Sequence, residues 1–333
     1  MIKIENALDL FSTPEIHKIL LLRQDRLGDV IVSLPLFEVL KDNFPDKEFQ
    51  ICLGEKNISA KPFIQSFFDK VWFYQKDVFK ILHLIKKLNS EKFDLIIDLL
   101  DNSSRTSTIF LKFIQSKYKL GFDKENREVY THTVPLPDKS KVHIVERLFN
   151  LLLPFNISTS YINKKINIQL DKDIINLLPR HSDKRRLGIN LVGSSRAKYW
   201  GENNYKNFIN EFLINHLDFE VVIFVQKQMS DLQIKICKET SAIPAPTTED
   251  LQQLAKMIST CDYFISPDTA TVHFASAFSI PTLVFYYVPE IPPKLLPWTP
   301  YKTPYKAILT TESIQSIKVS DALIKIDELI NQK

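Results

Sequence analysis

The sequence predicts two α/β units in tandem, each a doubly wound parallel sheet of Rossmann-like type with helices on both faces. Three observations predict this. Short apolar runs rich in β-branched residues alternate with amphipathic helical stretches, the pattern of strands joined by crossover helices. Runs such as Ile19-Leu20-Leu21-Leu22 and Leu95-Ile96-Ile97 are continuously apolar, as strands buried on both faces must be. Finally, 333 residues, 44% of them hydrophobic, exceed one ordinary domain and suffice for two cores. The alternation also breaks in the middle of the chain and restarts.

In the first half the strand candidates are 17–23, 49–53, 71–74, 93–99 and 118–122, with helical periodicity over 78–88 and 106–114. A helical stretch over 143–153 stops at Pro154, and a polar segment rich in Asn and Lys runs from there to about Arg186. The boundary belongs in it, giving units at 1–165 and 180–333. The second half offers strands at 187–192, 221–225, 263–266 and 282–286, and helices at 205–215, 229–238, 250–259 and 272–278. Apolar residues recur at helical spacing over 320–330, a tail helix expected to pack back on the first half. Two such units are expected to face each other across a cleft, with ligands at the carboxyl ends of the strands.

Composition narrows the chemistry. The six glycines, Gly28, Gly54, Gly121, Gly188, Gly193 and Gly201, form no G-x-G-x-x-G turn, which disfavours a nicotinamide oxidoreductase. Gly188 and Gly193 have Walker spacing, but Ser194 stands where that loop needs lysine. Phosphate must then be held by side chains, hydroxyls and helix N-termini. Compositional drift in a chain rich in Lys, Asn, Ile and Phe explains part of the scarcity. A net charge of +4 is too slight and too evenly spread for a nucleic-acid binder, and suits an anionic substrate or membrane face. Cys52, Cys237 and Cys261 are far apart, with no zinc or disulfide pattern. The first residues lack the basic and apolar regions of a signal peptide, and no apolar run nears the ~18 residues of a membrane helix. A cytoplasmic protein is expected.

Four polar clusters follow buried strands. Arg23-Gln24-Asp25-Arg26-Leu27-Gly28-Asp29 opens a helix; Asp29 reads either as an N-cap or as a functional carboxylate beside Arg23 and Arg26. Asp98 to Arg105, including Asn102, reads as an Asx turn or an anion contact. Ser194, Ser195, Arg196 and Lys198 gather hydroxyls and cations where phosphate would lie, or form a solvated loop anchored by Trp200. Asp268-Thr269-Ala270, leading to His273, opens a helix whose free N–H groups make an anion site, unless Asp268 is a plain cap and His273 a packed core residue. Glu146 and Arg147 read as an exposed helix pair, and Lys184-Arg185-Arg186 as a solvated linker face.

At these clusters the chain resembles the bacterial lipopolysaccharide heptosyltransferases. The resemblance is colinear over nearly the whole chain. It comprises Gly28-Asp29 with Ser33-Leu34-Pro35, Phe93 to Asp98 through Arg105, Tyr118 to Phe122, His143 to Arg147, Lys198-Tyr199-Trp200, and Asp268-Thr269 with His273 and Pro281-Thr282. It implies a GT-B architecture and an inverting, metal-independent transfer of heptose from ADP-heptose, a co-substrate rather than a cofactor, to a lipid-linked oligosaccharide. It also implies peripheral contact with the inner face of the inner membrane. By that resemblance Asp29 is the general base and Lys198 the diphosphate lysine. Ser194, Ser195, Gln252, Asp268, Thr269, Ala270 and His273 bind the donor. Arg23, Arg26, Asn102, Arg105 and Arg127 bind the acceptor. The family's glycine is Ala270 here, and Tyr286-Tyr287 replaces a phenylalanine–glycine pair. These departures leave open a different nucleotide sugar or a binding-only relative.

Overall fold

The structure, a computed structural model, describes residues 2–3, 15–157, 163–180, 182–193, 195–295 and 297–332. Ser194 lies outside the described residues. The chain divides into two compact units, Met1–Lys164 and Lys165–Lys333.

The first unit holds β1 (Ile2–Lys3), β2 (Lys18–Arg23), β3 (Glu48–Gly54), β4 (Lys70–Tyr74), β5 (Leu95–Asp98), β6 (Tyr118–Phe122) and β7 (His132–Val134). They form one parallel sheet in the order β1-β7-β6-β5-β2-β3-β4. The register sets Leu21 between Ile51 and Ile97, so the apolar run of β2 lies mid-sheet with helices to cover both faces. On one face Leu20, Leu22 and Ile96 pack under Leu84, Leu88, Phe110 and Leu111 of the helices Val78–Ser90 and Arg105–Phe113. Asp77 and Ser104 start those helices by accepting the N–H of Lys80 at 2.9 Å and of Ser107 at 3.4 Å.

The second unit repeats the plan with β8 (Arg185–Asn190), β9 (Phe219–Phe224), β10 (Ile243–Pro244), β11 (Tyr263–Pro267), β12 (Thr282–Tyr287) and β13 (Tyr305–Thr310), parallel in the order β10-β9-β8-β11-β12-β13. Trp200, Phe208, Phe212 and Phe285 fill its core. The segment after Lys164 belongs to this unit. Gln252 is buried and clasps Asp171 with both ends of its amide, accepting the Asp171 N–H at 2.8 Å and donating to its carboxylate at 3.0 Å. The tail helix Val319–Ile330 contacts β12, β13 and the helix Glu202–Asn215 of its own unit, burying Ala322, Ile326 and Leu329. His216 meets Asp327 there at 2.8 Å.

Two sequence expectations are corrected. Arg147 is no exposed partner of Glu146: it is buried and pairs with Asp101 at 2.8 Å. Arg186 is no linker residue: it lies in β8, buried, bound to Glu220 at 2.6 Å and to the Thr260 hydroxyl at 2.7 Å. In both cases a charge in a polar stretch reads as solvated, but its partner stands far off in sequence.

Both sheets have one strand-order reversal. It falls between β2 and β5 in the first unit and between β8 and β11 in the second. The connections leaving those strands run to opposite sides of the sheet, and such a point is where open α/β sheets take ligands.

Candidate functional site

In the first unit the reversal brings the loop after β2 against the loop after β5. Arg23, the last residue of β2, is buried and ties them together. Its Nη1 donates to the Leu99 carbonyl at 2.9 Å and its Nε to the Asp29 carbonyl at 3.0 Å. The same guanidinium lies 3.6 Å from the Asp25 carboxylate and 3.7 Å from that of Asp29. Asp29 is not the N-cap of its helix, Leu27–Ile31; Arg26 takes that place, and Asp29 lies in the first turn with Oδ2 accepting the Arg26 N–H at 2.7 Å. Burial raises the Asp29 carboxyl above its ordinary range, against the pull of Arg23, and Asp25 is pushed up to about 6 by the same cause. The arrangement is one buried and one half-buried carboxylate flanking one buried cation, at the ligand edge of a sheet.

The loop after β5 is held from beneath. Asp98 is fully buried, accepting the Ser107 hydroxyl at 2.8 Å, the Tyr130 hydroxyl at 2.5 Å and Lys124 Nζ at 3.0 Å, and its Oδ1 makes the expected Asx turn with Leu100 N–H at 3.2 Å. Lys124 also donates to the carbonyls of Leu100 and Asn102. Of the other acceptor candidates, Asn102, Arg26 and Arg105 are exposed, the last opening the helix Arg105–Phe113. Arg127 is exposed and paired with Asp123 at 3.3 Å. Arg23 alone of the set is buried; its Nε and Nη1 bond to the protein, while its Nη2 has no hydrogen-bond partner among the described residues.

In the second unit Lys198 reaches from the loop after β8 to the loop after β11. Its Nζ lies 2.5 Å from the Asp268 carboxylate and 3.0 Å from the Asp268 carbonyl. Gly193 permits this return: a Cβ there would sit 2.3 Å from Lys198 Cβ. Ser195 is exposed, and its carbonyl accepts the Lys198 N–H at 3.0 Å. Trp200 is buried, its indole N–H donating to Ile317 O at 2.8 Å. Asn190, ending β8, donates to the hydroxyls of Ser266, Thr269 and Thr271 at 3.1, 3.3 and 3.1 Å, so the three hydroxyls form one cluster. Thr269 takes the N-cap place of the helix Ala270–Ala277. Its side chain does not cap but bonds Thr271 at 2.7 Å, so the helix's first turn has no side-chain cap, and its Val272 N–H turns back to the Thr269 carbonyl at 3.1 Å.

Ala270 begins that helix and is not among the positive-φ residues, so alanine replaces the expected glycine there without strain. Tyr286 is buried in the small cluster with Val272, Val284 and Val288, its hydroxyl donating to Trp298 O at 3.1 Å, while Tyr287 is exposed. Burial drives His273 down to about 4, so its imidazole is neutral near pH 7. Its Nδ1 has no hydrogen-bond partner among the described residues.

Sequence reading missed Asp25, Asn190 and Asp171. Asn190 carried a usable signal, a lone polar residue inside the otherwise apolar run 187–192. Asp25 sits four residues before Asp29, but its burial is set by neighbours on other strands. Asp171 meets Gln252 only through tertiary contact.

Two Rossmann-order units in one chain, each with a single strand-order reversal, are the architecture of the GT-B class of glycosyltransferases. The comparisons agree. Residues 81–321 match the model of Glycosyltransferase family 9 (heptosyltransferase), and the chain belongs to that family. It is 22% identical to lipopolysaccharide heptosyltransferase 3 of Escherichia coli over 281 residues, 78% of this chain and 80% of the other. Among solved structures, the glycosyl transferase family 9 protein of Veillonella parvula DSM 2008 aligns with a TM-score of 0.79 at 17% identity, over 98% of this chain and 100% of the other. The E. coli heptosyltransferase WaaC, solved with ADP-2-deoxy-2-fluoro heptose, aligns at 0.74 and 14% identity, over 93% and 99%.

Proposed function

We propose that the protein transfers heptose from ADP-heptose to a sugar of the lipopolysaccharide inner core in one inverting displacement. The acceptor hydroxyl oxygen bonds to the anomeric carbon as the bond from that carbon to the diphosphate oxygen breaks. The hydroxyl proton passes to Asp29, and the pair of electrons leaves with ADP. Asp29 suits the base because burial makes it a better proton acceptor than an ordinary carboxylate, while Arg23 at 3.7 Å favours its ionised form.

The departing diphosphate needs cations and N–H donors. Lys198, Ser194, Ser195, Thr269 and the first N–H groups of the helix at Ala270 would supply them, with Asp268 and neutral His273 toward the nucleotide sugar. Gln252 would act through Asp171, which holds both ends of its amide. Arg26, Asn102, Arg105 and Arg127, the exposed polar residues of the first unit, would meet an anionic acceptor. Arg23, the fifth acceptor candidate, stands beside Asp29 and keeps one buried nitrogen without a hydrogen-bond partner among the described residues. Among the described residues no helix is long and apolar enough to cross a membrane, and we place the enzyme in the cytoplasm, touching the inner membrane from its inner face.

The observation that carries this reading is the Lys198–Asp268 pair at the reversal of the second sheet, in a chain of this family. The experiment is transfer by purified wild-type and Asp29→Asn protein with ADP-heptose, UDP-sugars and GDP-sugars. With ADP-heptose the variant should lose at least ~100-fold in kcat/KM, the typical contribution of a general base. An undiminished rate removes Asp29 as base, and turnover with another donor only replaces the sugar assignment.

A further inference from the structure

The apolar side of the helix Val78–Ser90 is wider than the core covers. Leu84, Ile85 and Leu88 are buried against the sheet. Val78, Phe79 and Leu82, at the start of the helix and beside that buried stripe, are 69%, 82% and 53% exposed. Scattered exposed apolar residues are ordinary, but three within one turn of each other, with a phenylalanine almost fully in water, form a patch that needs a reason.

The helix itself carries charge of one sign, with a carboxylate, Asp77 and Glu91, at each of its ends. The thirteen residues of the helix include Lys80, Lys86 and Lys87 and no carboxylate, and Lys76 immediately precedes it. All four lysines are exposed, and none forms an ion pair among the described residues. The nearest carboxylates are already engaged. Asp77 caps the helix, and Glu91 is bound by Lys18 and Lys70 at 2.6 Å each. Apolar side chains framed by unpaired lysines on one helix face are complementary to a surface with anionic headgroups outside and hydrocarbon beneath. Val78 and Phe79 also follow β4 at the carboxyl edge of the first sheet, the edge that carries Asp29.

We propose that this helix face seats the first unit on an anionic lipid bilayer, with Val78, Phe79 and Leu82 entering the headgroup–acyl boundary and the lysines meeting the headgroups. This deepens the functional reading, because it would hold the edge bearing Asp29 at the surface where a lipid-linked acceptor lies, but binding can be measured without donor or acceptor.

The test is sedimentation of the full-length protein with vesicles of phosphatidylethanolamine and phosphatidylglycerol, and with vesicles of phosphatidylcholine alone. Wild type should bind the anionic vesicles, less so as salt rises, and bind phosphatidylcholine at least tenfold more weakly. Lys86→Gln/Lys87→Gln should weaken partitioning about 25-fold, at about fivefold per lysine near a charged surface. Phe79→Ser/Leu82→Ser should weaken it at least tenfold while leaving transfer to a delipidated, water-soluble acceptor at the wild-type rate. Wild-type protein that stays off anionic vesicles, or variants that bind them as wild type does, overturn the proposal. So does a wild-type dimer in analytical ultracentrifugation that Phe79→Ser/Leu82→Ser dissolves, since the patch would then belong to a second copy. Loss of transfer without loss of vesicle binding would count against the catalytic reading alone.

Discussion

Arg23 shows how much one side chain can organise. A single buried guanidinium joins the loops after β2 and β5 and stands between two carboxylates. Asp25, lifted to about 6 by burial, makes a pH-dependent difference that can be measured. The folded protein holds that proton more tightly than the unfolded chain, whose aspartate titrates near 3.8. Ionised Asp25 is therefore a cost above about pH 6, and the cost fades as the pH falls toward 4. Asp25→Asn should raise unfolding stability by about 1–2 kcal/mol at pH 8 and change it little at pH 4. The full shift corresponds to about 3 kcal/mol, reduced here because water reaches part of the side chain. Urea denaturation at the two pH values checks this; a loss at pH 8 would mean that the attraction to Arg23 dominates. The same burial at Asp29 should move the acid limb of the rate profile above the ordinary carboxylate range.

Strand β6 illustrates why an element's environment matters more than its own residues. Tyr118–Phe122 is legible from its apolar alternation, but nothing local says why Gly121 is there. In the structure a Cβ at Gly121 would sit 2.4 Å from the Tyr130 ring, whose hydroxyl binds buried Asp98. Gly121→Ala should therefore push Tyr130 off Asp98, loosen Lys124 and the loop after β5, and cost about 1–3 kcal/mol as overpacking. Chemical denaturation measures it, and a neutral result would show that the ring yields without disturbing Asp98. Of the missed strands, β10 and β13 are sheet edges. Edge strands carry weaker patterns: β10 includes Pro244, tolerated where no central ladder needs its N–H, and β13 is only partly buried. His132–Val134 is three residues long, too short to show any period.

Each unit has its own core, so a nucleotide should stabilise the molecule unevenly. ADP bound at the reversal of the second sheet adds about 2.7 kcal/mol to the stability of the state that binds it when present at 100 times its Kd. In hydrogen exchange, protection by ADP should concentrate in residues 165–333, at the ends of β8 and β11 and the start of the helix at Ala270. Protection centred on β2 and β5 would place the donor on the wrong unit. Ligand edges are readable along the chain because a polar cluster after an apolar strand marks a strand's carboxyl end, where Asp29, Lys198 and Asp268 stand. Partners within and around those edges are less readable. Arg147 and Arg186 look like solvated charges until Asp101 and Glu220 arrive from 46 and 34 residues away, and Gln252 gives no local hint of Asp171, 81 residues before it.

What the order of residues settles is whatever depends on neighbours along the chain. Continuous apolar runs demand parallel strands covered on both faces, helical periods supply the covers, and the missing glycine turns exclude a backbone-cradled dinucleotide. Strand order is different in kind, because it sets which loops converge, and convergence joins residues far apart in sequence. It brings Leu99 to Arg23, Asp268 to Lys198 and Tyr130 to Asp98, and it decides which carboxylates lose water and which cations become their partners. Burial and pairing are properties of the packed solvent-free space, so the raised carboxyl at Asp29, the neutral His273 and the bare apolar face of Val78–Ser90 emerge only when the sheets are assembled.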